Sequence, residues 1–482
     1  MTRVADDLTK FQWSPQPQAA ALVQELLDDF LRRCPDAAKF ADRLHRETGT
    51  RLIDWVASIG VPDDRSVARR LGESGFVVGD ANSNEALSAW KHPDGLFPSV
   101  MAVRDVQACA SGACPAGSSQ MILWVKVDSV ADFAFRNGIT EGSPIWLSPP
   151  LSRCRMAPFA PGREAAIFVV ELHGTTVLGA TMLETLSDDE EITAALWVGE
   201  RFRLRKRRFA SSAEGFLETS LLVDELLEDM DKDRAADLFF AAEREYWMSR
   251  NRAAQIQYAR QQKLGLGWAN HDHHTYRSSR EHFKDMIAIF EKLGLVCRER
   301  FYAGREAGWG AQVMEQPNAG IVVFADVDLS PDEVTADFAH EPLPPRKELG
   351  TVGLWCALHG ESFLEAGMHH LECQFDFDAA REQLKALGIN SMKPFTDFPW
   401  LKQCFTEGEM WPVDSRRIDA LLAAGRITAE QAEKFRREGA IGSHLEILER
   451  NDGYKGFNQT GISEIIRDTD PRRVEHRGAE HR

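Results

Sequence analysis

Trp268-Ala-Asn-His-Asp-His-His-Thr-Tyr-Arg-Ser-Ser-Arg280 places His271, His273 and His274 within four positions, with Arg277 four residues after the second. Its pattern predicts a strand over 269–278. An amphipathic helix follows over 279–293, with Phe283, Met286, Ile287, Ile289, Phe290 and Leu293 at helical spacing and Gly294 as its stop. Strand patterns recur at about 295–302, 309–315 and 319–327, so the order is βαβββ. The plan then returns. Gly367-Met-His-His-Leu-Glu-Cys-Gln-Phe375 reads as a strand over 367–376, followed by a helix over 377–387 that ends at Gly388. A helical insertion at about 415–437 and a strand at 441–450 close the second pass, and Pro342-Leu-Pro-Pro-Arg346 links the two passes.

Alternate side chains of a strand face opposite ways, which sorts the polar residues. Leu371, Cys373 and Phe375 suit packing on a helix, so His370, Glu372 and Gln374 take the opposite face, and His369 goes with the packed side. In Ser443-His-Leu-Glu-Ile-Leu-Glu-Arg450, Leu445 and Ile447 share one face and send His444 and Glu446 to the other. His271, His273, Thr275 and Arg277 fall together in the first module. A single histidine on a strand is more often a hydrogen-bonded structural residue than a ligand. Here, imidazoles and carboxylates face a pocket from repeated modules, which points to a 2-His-1-carboxylate metal site with coordination positions left open.

The 482 residues exceed one ordinary core and imply two or three domains. The division expected is an N-terminal α+β domain over 1–264, a metal-binding domain over 265–470 and a flexible tail over 471–482. A net charge of −17 argues against a nucleic-acid binder, because phosphate contacts need a basic field. The local exception, Arg201-Phe-Arg-Leu-Arg-Lys-Arg-Arg208, reads as a solvated strand edge or a basic rim. Eight scattered cysteines contain no CxxC pair; Cys109 and Cys114 give only a weak zinc signal, and a reducing compartment is expected. Without an apolar signal core or a long apolar run, the expectation is a cytoplasmic protein with no membrane partner.

In the first half, residues 17–60 read as helical, including Leu52, Trp55, Val56 and Ile59. Strands are expected at 121–127, 165–172 and 193–198, and two helices over 212–263. His173-Gly-Thr-Thr reads as a strand-end turn. No motif in this half attaches to chemistry.

The paired βαβββ modules resemble the vicinal oxygen chelate superfamily and, within it, the 2-oxoadipate dioxygenase/decarboxylase family of iron enzymes. The resemblance rests on Asp272-His273-His-Thr-Tyr-Arg277, His369-His370-Leu371 and Glu446-Ile-Leu-Glu-Arg450, and it covers roughly residues 265–470. It implies an α+β fold with paired βαβββ modules, Fe(II) held by His273, His370 and Glu446, and Arg277 as a catalytic, substrate-carboxylate-binding residue. It implies a 2-oxo acid and O2 as substrates, with decarboxylation to a hydroxylated acid. His274 and His369 depart from the family's pattern. Two other readings stay open: another divalent-metal enzyme of this fold (isomerase, lyase or extradiol-type dioxygenase), and a non-catalytic metal-binding protein. The oligomeric state is not legible.

Overall fold

The computed structural model describes residues 12–79, 87–103, 120–139, 151–160, 162, 164–176, 178, 189–458, 470 and 472. Cys109, Cys114 and the expected tail, apart from Arg472, lie outside these residues.

The chain opens with α1 (Pro17–Arg33) and α2 (Pro35–Thr48), then a 3-10 turn at Leu52–Trp55. Next come β1 (Val56–Pro62), α3 (Arg65–Glu73), β2 (Val77–Val78), β3 (Leu87–Lys91) and β4 (Ser99–Val103). A second set follows: β5 (Met121–Lys126), α4 (Val130–Arg136), β6 (Cys154–Ala160) and β7 (Ala165–Leu172). The helices α5 (Asp189–Arg203), α6 (Ser212–Leu226), α7 (Lys232–Met248) and α8 (Arg252–Gln262) lead into the second half. There, β8 (His271–Arg277), α9 (Phe283–Lys292), β9 (Val296–Tyr302), β10 (Trp309–Gln316) and β11 (Ile321–Asp328) form one module. After α10 (Thr351–His359), the second module has β12 (His370–Gln374), α11 (Phe377–Ala386), β13 (Thr396–Phe398) and β14 (Leu401–Phe405). A small insertion of β15 (Met410–Trp411), α12 (Ser415–Ala423), α13 (Ala429–Glu438) and β16 (Ala440–Ile441) precedes β17 (His444–Arg450).

The second-half sheet runs β13-β14-β17-β12-β8-β11-β10-β9. Its central pair, β8 and β12, is antiparallel; each is flanked by a parallel partner, β11 and β17. This is the paired βαβββ architecture of the vicinal oxygen chelate fold, an α+β class. Leu371, Cys373, Phe375, Leu445 and Ile447 turn to the helical side and are fully buried there with Phe283, Phe290 and Leu384. The same core takes in Val198, Phe202, Phe239 and Phe240, so the helices before residue 265 pack under the second sheet.

The first half is built on the same topology. Its sheet runs β2-β3-β4-β1-β5-β7-β6, again with an antiparallel central pair, β1 and β5, between parallel partners β4 and β7. Sequence alone gave no sign of this repeat, because its polar signature has been replaced. The cross-strand rows read Ser58–Trp124–Phe168 and Gly60–Ile122–Ala166. Trp124, Phe168, Ile122 and Ala166 join Met101 and Val170 in an apolar cluster on that face.

Four local expectations change. Leu52, Trp55, Val56 and Ile59 fit a helical period, but the segment is a short turn running into β1. That central strand is buried on both faces, which hides the two-residue alternation. Residues 193–198 lie within α5, where Ala195, Val198 and Phe202 are buried at helical spacing, with acids in the first turn and arginines in the last. Residues 212–263 form three helices rather than two. The basic run 201–208 is the end of α5 and the segment after it: Arg205 is buried on Glu243, and the half-buried Arg207 pairs with the same carboxylate.

The two halves are clamped by a half-buried histidine, with 13% of its side chain exposed. His173 follows β7 in a bend, as expected, and its two ring nitrogens lie 2.8 Å from Asp237 Oδ2 on α7 and 2.9 Å from Glu171 Oε1 on β7. Burial alone would lower its pKa, but hydrogen bonds to both carboxylates outweigh this and raise it to about 10. A raised folded-state pKa stabilises fully below the unfolded value near 6.5 and is lost as pH rises through about 10. His173→Gln should therefore cost about 3–5 kcal/mol at pH 6, as for breaking a buried ion pair. Its melting-temperature deficit against the parent protein should shrink between pH 6.5 and 10; a deficit constant across that range would exclude the ion pair as its cause.

Candidate metal centre

The register of three strands assembles the site. Glu372 on β12 pairs with His273 on β8 and with Glu446 on β17, so the three side chains form one row on the face away from the helices. His370 stands two residues before Glu372 on the same face, opposite Thr275. All four chemical groups are buried, none more than 7% exposed. His273 Nε2 lies 2.6 Å and His370 Nε2 2.8 Å from the same oxygen, Glu372 Oε1. Glu446 Oε2 lies 3.5 Å from His370 Nε2. The donor atoms of His370, Glu372 and Glu446 all fall within 4.8 Å of one another.

Each donor is aimed by a partner behind it. His273 Nδ1–H donates to Asp272 Oδ1 at 2.9 Å, leaving Nε2 to face the row. Asp272 in turn accepts from Arg450 Nε and Nη2 at 2.9 and 3.0 Å and from Gln374 Nε2 at 3.0 Å. Burial works against its ionised form, but Arg450 and His273 outweigh it and hold Asp272 well below the ordinary carboxylate range. Glu446 Oε1 accepts from Gln403 Nε2 at 2.7 Å, and Glu372 Oε1 accepts from the Thr275 hydroxyl at 3.0 Å. Such backing fixes ring tautomer and carboxylate rotation, as metal ligands require.

The two carboxylates respond oppositely. Burial, then the Glu372 charge, pushes Glu446 well above its usual range. Glu372 is also buried, but the His273 and His370 charges outweigh that and hold it below the usual range. Glu372 Oε2 is buried without a hydrogen-bond partner among the described residues. Two adjacent buried carboxylates and two inward Nε2 atoms are a donor set for a divalent cation, whose charge would compensate both acids.

A cavity of about 60 Å³ opens beside the row. Phe301, Trp309, Phe324, Phe395, Phe405 and Phe457 line it, so its walls are largely aromatic, and it is small against the roughly 300–1,000 Å³ of ordinary ligand pockets. Arg277 and Asp326 also line it. Arg277 Nε is 3.6 Å from Asp326 Oδ2, yet Arg277 Nε and Nη1 and Asp326 Oδ1 make no hydrogen bond among the described residues. Burial lowers the Arg277 pKa against the opposing Asp326 charge, while burial raises Asp326 to about 8 despite Arg277. Asp328 carboxylate oxygens accept from the backbone N–H groups of Gly350, Val352 and Gly353 at the start of α10. This holds α10 so that Trp355 lies with its ring centroid 5.7 Å from the Arg277 guanidinium.

The structure thus brings His273, His370, Glu446 and Arg277 to one chamber and adds Glu372, which alternation had placed on the pocket face without a role. Two histidines depart from strand alternation. His271 does not accompany His273: the β8–β12 register shifts between Glu372 and Cys373, and the His271 ring packs 5.2 Å from that of His274. His369 precedes the first residue of β12 and does not take the helical side. Its ring lies 4.8 Å from His370, 5.3 Å from His444 and 5.5 Å from Trp355. His274 does turn to the helical side, accepting from Arg244 Nη1 at 3.2 Å through Nε2.

No family model matches the chain, and no curated protein matches it. Among solved structures, the chain is similar to a protein of Shewanella frigidimarina NCIMB 400, at 15% identity over 46% of this chain and 96% of that one, with a TM-score of 0.32. It is similar to methylmalonyl-CoA epimerase from Mycobacterium tuberculosis at 13% identity, over 38% and 88% of the two chains, with a TM-score of 0.22. It is also similar to a mutant 4-hydroxymandelate synthase from Streptomyces coelicolor at 12% identity, over 86% and 99%, with a TM-score of 0.27. At these values no activity transfers; strand order and register carry the fold assignment.

The donor set predicts a thermal shift. A divalent ion at 100 times its Kd should stabilise the protein by about 2.7 kcal/mol. The shift should be larger at pH 7.5 than at pH 5.5, because Glu446 must give up its proton to bind. Glu446→Gln should shrink the shift while leaving the metal-free protein about as stable, since an amide replaces a carboxyl whose ionisation burial and the Glu372 charge already suppress. Calorimetry with Mn(II) or Co(II) checks both.

Proposed function

We propose that this chain is an Fe(II)-dependent dioxygenase/decarboxylase that acts on a 2-oxo acid, as in the conversion of 2-oxoadipate to 2-hydroxyglutarate. The observation that supports the reading is the gathering of the His370, Glu372 and Glu446 donor atoms within 4.8 Å of one another, with His273 Nε2 2.6 Å from Glu372 Oε1, beside a cavity that also holds Arg277 N–H groups without a hydrogen-bond partner among the described residues. His273, His370 and Glu446 would hold the metal, and Glu372 stands among them as a second carboxylate. Bound Fe(II) would supply O2 binding and the electron transfer that oxidative decarboxylation requires.

The chain's own residues do the rest. Asp272 and Gln403 keep His273 and Glu446 aimed. The aromatic walls keep bulk water away from the reacting carbons. Arg277 receives the far carboxylate of a dicarboxylic substrate, because its planar fork gives two parallel charge-assisted hydrogen bonds. Glu372 also favours a second reading, a divalent-metal isomerase or lyase, since a spare carboxylate beside a metal can serve as a base. Anaerobic purification, metal analysis and O2 uptake with a panel of 2-oxo acids separate the two: an isomerase or lyase consumes no O2.

Arg277→Lys should weaken a dicarboxylic 2-oxo acid roughly 10- to 100-fold in kcat/KM, the worth of one charged hydrogen bond. Metal content should stay unchanged, and a monocarboxylic 2-oxo acid should lose far less. Equal losses for both substrates would return Arg277 to a structural role beside Asp326.

A further inference from the structure

A cavity of about 650 Å³ lies between the two halves, within the roughly 300–1,000 Å³ of ordinary ligand pockets. Val23 and Leu27 of α1, with Leu52 and Ile53 of the turn after α2, give it an apolar side. Arg298 on β9, Gln374 on β12 and Arg450 on β17 line it from the second half. Among the described residues, Phe457 is the one that lines both this cavity and the metal chamber. The proposed chemistry makes no use of it.

The charge of this cavity runs against that of the chain. The whole protein carries −17, yet the lining holds six lysines and arginines against four carboxylates. Four of these cations are committed. Arg51 Nη2 lies 2.6 Å from Asp54 Oδ1, Arg450 Nε 2.9 Å from Asp272 Oδ2, and Arg298 Nη1 and Lys455 Nζ each 3.4 Å from Glu315 Oε2. Lys91, the last residue of β3, and Lys126, the last of β5, make no hydrogen bond or ion pair among the described residues. Lys126 is half-buried, and burial lowers its pKa; the charges that oppose this, Asp54 and Asp272, already have arginine partners. Asp452, the remaining carboxylate, is not among the charges acting on either lysine. An enclosed ammonium without a counter-charge is destabilising, and an anion entering from solution relieves it.

We infer that this cavity binds an organic anion, its acidic head group held by Lys126 with Lys91 as a second cation, and its apolar body laid along α1. The site is independent of the metal reading. Lysine suits it because a compact ammonium with three rotatable donors takes a carboxylate, sulfonate or phosphate alike. The apolar side and the volume beyond the head group call for an organic ligand rather than an inorganic ion.

The test uses the full-length protein and two dyes of like shape, the anionic 8-anilinonaphthalene-1-sulfonate and the neutral N-phenyl-1-naphthylamine. Fluorescence titration should give saturable binding of the sulfonate. Lys126→Met should weaken it about 10- to 100-fold, the worth of one charged hydrogen bond, and leave the neutral dye's affinity unchanged. Lys126→Arg keeps the charge and should retain most of the affinity. Equal sulfonate affinity in the parent and Lys126→Met would overturn the inference, as would a matching loss of the neutral dye, which reports a damaged cavity. A second readout needs no variant. Acetic anhydride labelling of Lys126, followed by peptide mass spectrometry, should slow under saturating sulfonate dye, while Lys385, exposed on α11 outside the cavity, should label as before. Unslowed labelling of Lys126 would also overturn the site. Displacement of the dye by octanoate or by octyl phosphate then identifies the preferred head group, and failure of both rules out an organic-anion site.

Discussion

Everything in the second half depends on the antiparallel pairing of β8 with β12 in one register, Glu372 opposite His273. Slipping either strand by one residue would carry its donors to the helical side and its apolar residues into the chamber. The register is secured from both sides. Beneath the sheet, Leu371, Cys373, Leu445 and Ile447 are locked into the helical core. Above it, Thr275 donates to Glu372 across the same pair. With two carboxylates buried this close, the metal-free site keeps Glu446 from ionising beside Glu372, and a bound cation would let both carry charge.

The two sheets show what the fold requires and what the site adds. Both keep the antiparallel central pair between parallel neighbours. In the first sheet, the equivalent rows hold tryptophan, phenylalanine and isoleucine, and the polar face has become core. The second sheet keeps the donors and surrounds them with oriented partners. The interface between the halves uses partly buried ionic groups as well: His173 joins Glu171 to Asp237, and Arg51 reaches Asn451 and the Arg450 carbonyl. Arg450 itself holds Asp272, so this contact lies one residue from the group that aims His273.

The sequence by itself determined the βαβββ order of the second half and the pocket face of His273, His370, Glu372 and Glu446. Period-two alternation against an apolar helical face is a local property, readable wherever one side of a strand is packed and the other polar. The same rule misplaced His271 and His369, because one lies at a register shift and the other just outside its strand, where alternation no longer holds. It could not see β1 or α10, which are buried on all sides and carry no periodic contrast. Only the tertiary structure decided that the first half repeats the second, since that likeness lives in strand order and not in residue type. Tertiary structure also put Glu372 between two imidazoles, set Asp326 beside Arg277 and turned His369 edge-on to His370. These contacts join residues on different strands or beyond a strand's end, and their distances follow from register and packing, which no single segment encodes.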